Sequence, residues 1–147
     1  KCTLALGCFW KPEENFKNKS GIINTEVGYA GGEKSEVTYE EVCTGHTGHA
    51  EVVRLTYDEK IISFKKILDL FFKMHDPTQK DMQYPDVGTQ YRSEIFYETD
   101  EQKKEAEAVI IERNPTFDNK IQTNISKIKN YCKAEDYHQR YIEKKSI

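Results

Sequence analysis

The chain lacks any apolar run near the roughly 18 residues needed to cross a bilayer, and it shows no signal-peptide pattern. The expectation is a cytoplasmic protein with no membrane partner. It also lacks a compact cysteine framework. Cys2, Cys8, Cys43 and Cys132 are widely scattered and read as reduced thiols. A strong charge of one sign is missing as well: the net charge is −3, which argues against nucleic acid as a partner. No repeat, low-complexity tract or linker divides the 147 residues, so one monomeric domain over 1–147 is expected.

Aromatic residues are plentiful, with nine Tyr, seven Phe and one Trp available for a core and a pocket. Basic residues outnumber acids after Phe117, which reads as a solvated face. The apolar stretch Thr3-Leu4-Ala5-Leu6 suits a buried strand that stops at Gly7. Residues 9–19 then read as a helix with Pro12 in its first turn, 22–30 as a strand and 39–43 as a short turn or helix. A strand over 51–57 and a helix over 62–74 follow, the helix with a broad apolar stripe. Residues 75–90 form a long loop of the kind that often carries function. A strand over 93–97, a helix over 100–113 ended by Pro115, a strand over 121–131 and a final helix over about 134–144 complete the series. This order favours an α+β fold: a ferredoxin-like α/β sandwich with a mixed sheet packed against helices.

Cys8 falls between a strand end and a helix start. There the first helical N–H groups and the positive end of the helix dipole would favour a thiolate, with Lys11 adding a cation nearby. An ordinary thiol, with a pKa of about 8.5, is only slightly ionised at neutral pH, so the expectation is a lowered value. A cysteine among apolar residues is equally at home as a small core side chain, and its position alone does not choose between the two.

Longer patterns surround it. Gly7-Cys8-Phe9-Trp10, Gly28-Tyr29-Ala30-Gly31-Gly32, Tyr39-Glu40-Glu41-Val42-Cys43-Thr44-Gly45 and Thr47-Gly48-His49-Ala50-Glu51 occur in that order. His75-Asp76-Pro77, Asp86-Val87-Gly88-Thr89-Gln90-Tyr91-Arg92-Ser93 and Ala134-Glu135-Asp136-Tyr137-His138-Gln139 follow. Together these blocks resemble the A-type peptide methionine sulfoxide reductases, and the resemblance runs from about Leu4 to Tyr141.

The resemblance implies a role for each of several residues. Cys8 would attack the sulfoxide sulfur, and Glu51 would protonate its oxygen, for which its pKa must be raised by burial. Tyr39 and Tyr91 would donate hydrogen bonds to that oxygen. Phe9 and Trp10 would enclose the S-methyl group, while Asp86 and His138 would hold the rest of the substrate. Cys8 would become a sulfenic acid. The implied substrate is the S-epimer of methionine sulfoxide, free or within a peptide or protein. Neither a metal nor an organic cofactor is implied, only an external thiol reductant: thioredoxin, or glutathione with glutaredoxin.

Two departures from the family pattern stand out. Lys11-Pro12 replaces the glycine that usually follows the Trp. The tail after Tyr141 carries no cysteine to regenerate Cys8. Cys2 would lie about 20 Å away along an extended strand, too far for a disulfide. Cys132 is the least implausible internal partner and Cys43 a weaker one, so an external thiol is expected to clear the sulfenate. Two other readings compete with this one. Cys43, His46 and His49 form a C-x2-H-x2-H string that matches no common zinc pattern. An activated Cys8 would also serve a cysteine-based peroxidase or redox sensor.

Overall fold

Every residue of strand β1 (Cys2–Leu6) is buried, as expected of a central strand covered on both faces. The computed structural model describes residues 1–145. Gly7, at φ 95°, turns the chain into helix α1 (Trp10–Lys17), whose Pro12, Glu13 and Phe16 are buried. Strands β2 (Ile22–Ala30) and β3 (Ala50–Tyr57) pair antiparallel, with the one-turn helix α2 (Tyr39–Cys43) between them. Helix α3 (Phe64–Met74) is capped by Ser63. The long loop holds a two-stranded ribbon, β4 (Met82–Gln83) with β5 (Asp86–Val87). Then come β6 (Ser93–Tyr97), α4 (Asp100–Arg113), β7 (Asn124–Lys127), β8 (Cys132–Lys133) and α5 (Tyr141–Lys145).

The main sheet has the order β7-β6-β1-β3-β2-β8. Its pairs are antiparallel except β6 with β7, which is parallel. Side chains alternate faces along each strand. One face sends Leu4, Leu6, Val27, Tyr29, Val53, Leu55 and Ile95 against Phe16 of α1, Ile67, Leu68 and Phe71 of α3, and Val109 of α4. Each such large apolar side chain contributes about 1.5–3 kcal/mol on burial. The other face carries a smaller cluster of Ala5, Ala30, Ala50, Val52 and Phe96. The expected mixed α+β sheet packed against helices is therefore present.

Two expected elements are corrected. Of the strand expected over 121–131 only β7 forms, beside β6; the chain then crosses to the opposite edge of the sheet, where β8, just past the expected strand, pairs with β2. Asn130, at φ 50°, makes the turn between them. Its side-chain amide donates to the carbonyls of Gly32 and Glu33 at 2.8 and 3.0 Å, which suits an Asn in the left-handed region. The final helix over 134–144 is likewise interrupted. A 3-10 turn covers Asp136–His138, and Arg140 stands at φ 51°, so only α5 is helical. Tertiary hydrogen bonds replace the helical ones. Gln139 pairs through its amide with both the N–H and the C=O of Val27, at 2.9 and 2.8 Å. Buried Glu13 accepts the Arg140 N–H at 2.6 Å.

The narrowest packing on the β8 edge is at Gly28, where an added Cβ would lie 2.5 Å from the Cys132 carbonyl oxygen and 2.8 Å from the Tyr131 ring. Gly28→Ala is expected to push β8 off the sheet and to cost about 1–3 kcal/mol of stability, measured by urea denaturation.

Candidate active site

The antiparallel pairing of β1 with β3 sets Leu4 opposite Val53, so the C-terminal end of β1 meets the N-terminal end of β3. Cys8 follows the first of these ends, and Glu51 lies at the second. Because faces alternate along β3, Glu51 shares the helix-covered face with Val53 and Leu55. It also stands opposite Tyr29 in the β2–β3 ladder. Glu51 is only 1% exposed. Its Oε1 accepts the Phe9 N–H at 3.3 Å, and its Oε2 has no partner. Burial raises its pKa to about 8; the Phe9 N–H works against the rise, and the nearby Asp86 charge adds to it.

The expected resting thiolate is overturned. The Cys8 thiol is pushed up to about 12, first by burial and then by the Glu51 carboxylate. The Trp10 N–H at the start of α1 does favour the thiolate, as anticipated, but it is outweighed. Lys11 is exposed, and Asp86 adds a further charge unfavourable to a thiolate. Cys8 therefore rests as a neutral thiol beside a carboxyl group that is itself mostly protonated at neutral pH.

An aromatic wall closes around the pair. The Phe9 ring lies 5.7 Å from Tyr29 and 5.2 Å from His138. Tyr39 lies 4.4 Å from His138, and Trp10 stacks on Tyr141 at 3.9 Å. The Trp10 indole N–H donates to His138 Nδ1 at 2.9 Å. Burial holds the His138 pKa below its ordinary value, so in the neutral ring Nδ1 accepts and the proton sits on Nε2. That Nε2 is buried and without a partner, a donor available inside the wall. Burial raises both Tyr39 and Tyr91, and the Glu51 charge reaches both phenols. Asp86 acts on Cys8, Glu51 and Tyr91 alike. All the site residues expected from the sequence therefore converge on Cys8 and Glu51.

Several of the sequence blocks turn out to be scaffolding. Half-buried His75 lies 2.7 Å from the Phe71 carbonyl through Nδ1 and 2.7 Å from Ser93 Oγ through Nε2. Asp76 pairs through its backbone N–H and C=O with the Gln83 amide, at 3.1 and 2.5 Å. Gln83 also packs over Gly7, which seats the ribbon bearing Asp86 beside Cys8. His49 lies 3.2 Å from the Asn130 carbonyl through Nε2 and leaves no room for a side chain at Gly32. His49 is buried while Cys43 and His46 are exposed, and no cluster of three or more metal-ligating side chains occurs among the described residues. Sequence reasoning missed Tyr29, Glu135 and Tyr141, of which the two tyrosines belong to the wall and Glu135 accepts hydrogen bonds from Tyr29 and Tyr39. The first two lay inside the quoted blocks, but only the ladder register and the folded C-terminal segment bring them to the site.

The other thiols are distributed unevenly. Cys2 is buried and pushed up to about 12 by that burial. Cys132 sits at the sheet edge, 3.7 Å from the Val37 carbonyl. Cys43 is exposed, and the Tyr39 hydroxyl and the Glu51 charge both act on it. The end of the cysteine-free tail, residues 146 and 147, lies outside the described residues. A cavity of about 460 Å³ lined by Tyr57, Phe64, Glu98 and Gln102 includes none of the site residues.

The indole contact makes the His138 tautomer testable. Side-chain ¹⁵N NMR is expected to show a proton on Nε2 and none on Nδ1, with a pKa below the ordinary histidine value. A protonated Nδ1 in the neutral ring would contradict the geometry.

A family model described as "Peptide methionine sulfoxide reductase" matches residues 1–147. The chain is 58% identical over 142 residues to the peptide methionine sulfoxide reductase MsrA of Pelagibacter ubique, covering 97% of each. Among solved structures it is similar to reduced Mxr1 from Saccharomyces cerevisiae, with a TM-score of 0.94 and 42% identity over 99% of this chain and 84% of that one. Mxr1 in complex with Trx2 matches at a TM-score of 0.68 and 32% identity, covering 95% of this chain and 82% of that one. The chain belongs to the A-type peptide methionine sulfoxide reductases, enzymes that reduce methionine sulfoxide at the expense of thiols.

Proposed function

We propose that Cys8 is the nucleophile and Glu51 the proton donor in reduction of the S-epimer of methionine sulfoxide, free or within a polypeptide. The observation that carries this reading is the buried carboxyl of Glu51, with one oxygen unpartnered, beside a neutral thiol. With a pKa of about 8, Glu51 is protonated by roughly ten to one at pH 7. It gives its proton to the sulfoxide oxygen as Cys8 Sγ bonds to that oxygen's sulfur, and it recovers the thiol proton. The S–O bond and the new Sγ–S bond then both break as the oxygen passes to Cys8 and methionine leaves. The balance is Cys8–SH plus sulfoxide giving Cys8–SOH plus methionine, with the cysteine sulfur oxidised by two electrons and the sulfoxide sulfur reduced by two. Tyr39 and Tyr91 donate to the oxygen as its charge grows. Phe9 and Trp10 enclose the methyl group. Asp86 and the Nε2–H of His138 hold the backbone of the substrate.

An external thiol then returns Cys8 to its reduced form: two thiols take up the sulfenic acid oxygen as water and leave as a disulfide. The complex of yeast Mxr1 with Trx2 supports thioredoxin as that reductant, and glutathione with glutaredoxin would satisfy the same chemistry. We read residues 1–147 as one cytoplasmic, monomeric catalytic domain that needs no metal or organic cofactor. The strand order β6-β1-β3-β2, linked by α1 and α3, supports the ferredoxin-like label. A peroxidase would call for a resting thiolate, which the raised Cys8 value does not favour.

The active form of Glu51 is protonated, so kcat/KM is expected to hold below pH 8 and to fall as pH rises through about 8. Glu51→Gln is expected to abolish that limb and to lower kcat/KM by about 10²–10⁴, while Cys8→Ser removes turnover. A limb that survives in Glu51→Gln would assign it to another group. Thiol counting after one turnover without reductant is expected to show the loss of one thiol. Loss of two thiols with an intramolecular disulfide would assign regeneration to a second cysteine of this chain.

A further inference from the structure

Helix α2 is a single turn, too short to hold itself by its own hydrogen bonds, yet it carries Tyr39. Its N-terminus is closed by a capping box: Thr38 Oγ1 accepts the Glu41 N–H at 3.2 Å, and Glu41 Oε1 accepts the Thr38 N–H at 3.1 Å. The N–H of Tyr39, its first residue, has no acceptor within the helix. Glu135, distant in sequence, supplies one. Its Oε2 accepts the Tyr39 N–H at 2.9 Å, and its Oε1 accepts the Tyr29 hydroxyl at 2.8 Å. Tyr29 is fully buried and faces Glu51 across the β2–β3 ladder. Glu135 is itself anchored on both sides. The Ala134 N–H donates to the Val27 carbonyl at 3.0 Å, and the His138 N–H donates to the Glu135 carbonyl at 2.9 Å.

We propose that Glu135 is a positioning residue for Tyr39. Its carboxylate bridges the helix that carries the Tyr39 hydroxyl and the strand pair that carries Glu51, and so sets the spacing between the two groups meant for one sulfoxide oxygen. The inference rests on the reading that Tyr39 donates to that oxygen. Charge alone does not account for the arrangement, because the side chain must reach two donors on different elements at once. Both oxygens are used, one for each. A displacement of about 1 Å at a reacting centre costs on the order of 10²-fold in rate, so a loose α2 would be felt in kcat.

The test compares Glu135→Ala, Glu135→Asp and Glu135→Gln, alone and with Tyr39→Phe. Glu135→Ala is expected to lower kcat by about 10–100-fold, by no more than Tyr39→Phe does, with little change in KM. Glu135→Gln keeps the reach: its carbonyl accepts the Tyr39 N–H, its amide donates to the Tyr29 oxygen, and most of the activity returns. Glu135→Asp keeps the charge but is one methylene too short, and it behaves like Ala. Adding Glu135→Ala to Tyr39→Phe costs less than about twofold more if the residue acts through Tyr39. Full additivity of the two losses, or rescue by Asp and not by Gln, would overturn the proposal. The Tyr39 amide resonance reads the bridge without reference to activity, and it moves in Glu135→Ala. An unmoved resonance would also overturn the proposal. If Tyr39→Phe by itself leaves kcat unchanged while the resonance moves, the role assigned to the Tyr39 hydroxyl fails and the bridge stands.

Discussion

The site depends on a carboxyl group held out of water next to a thiol. Burial of Glu51 on the helix-covered face of β3 costs the charged form its hydration, so the group keeps its proton at neutral pH. The same desolvation keeps Cys8 a thiol. In the proposed reaction the two groups work as a pair whose protons move together. A cysteine ionised in advance by its helix would have been a different device. The N–H of Trp10 is present at the start of α1, and here it is the weaker influence.

That pairing follows from strand topology. Cys8 and Glu51 are distant in sequence, yet the antiparallel ladder of β1 and β3 makes their ends coincide. The period of two along β3 turns Glu51 inward with Val53 and Leu55. The aromatic wall then excludes water from the carboxyl. Its parts come from α1, β2, α2 and the C-terminal segment. The C-terminal segment enters the wall as a chain of tertiary hydrogen bonds through Glu13, Gln139 and Glu135.

Local pattern made much of this legible. The buried run of β1, the strand over 22–30, the turn of helix at 39–43 and the helix over 100–113 agree with the fold, because their apolar periods and end signals lie within a few residues of one another. The segments that misled were those in which distant partners override local preference. Residues 121–131 look like one strand until Asn130 turns left-handed against Gly32 and Glu33. The region over 134–144 looks helical until Gln139 and the Arg140 N–H find acceptors and donors on β2 and α1.

By itself the sequence named the candidate residues for the chemistry, because the blocks around Cys8, Tyr39, Glu51, Asp86, Tyr91 and His138 can be read as local strings in order. It also determined the class of fold, through periodicity. Only the tertiary structure decided the protonation states, since desolvation is a property of what surrounds a group and not of its neighbours in the chain. Cys8 looked like a nucleophile made ready by its own helix. Its setting is a half-buried neutral thiol beside a protonated carboxyl, with an aromatic wall held by contacts that no local pattern announces.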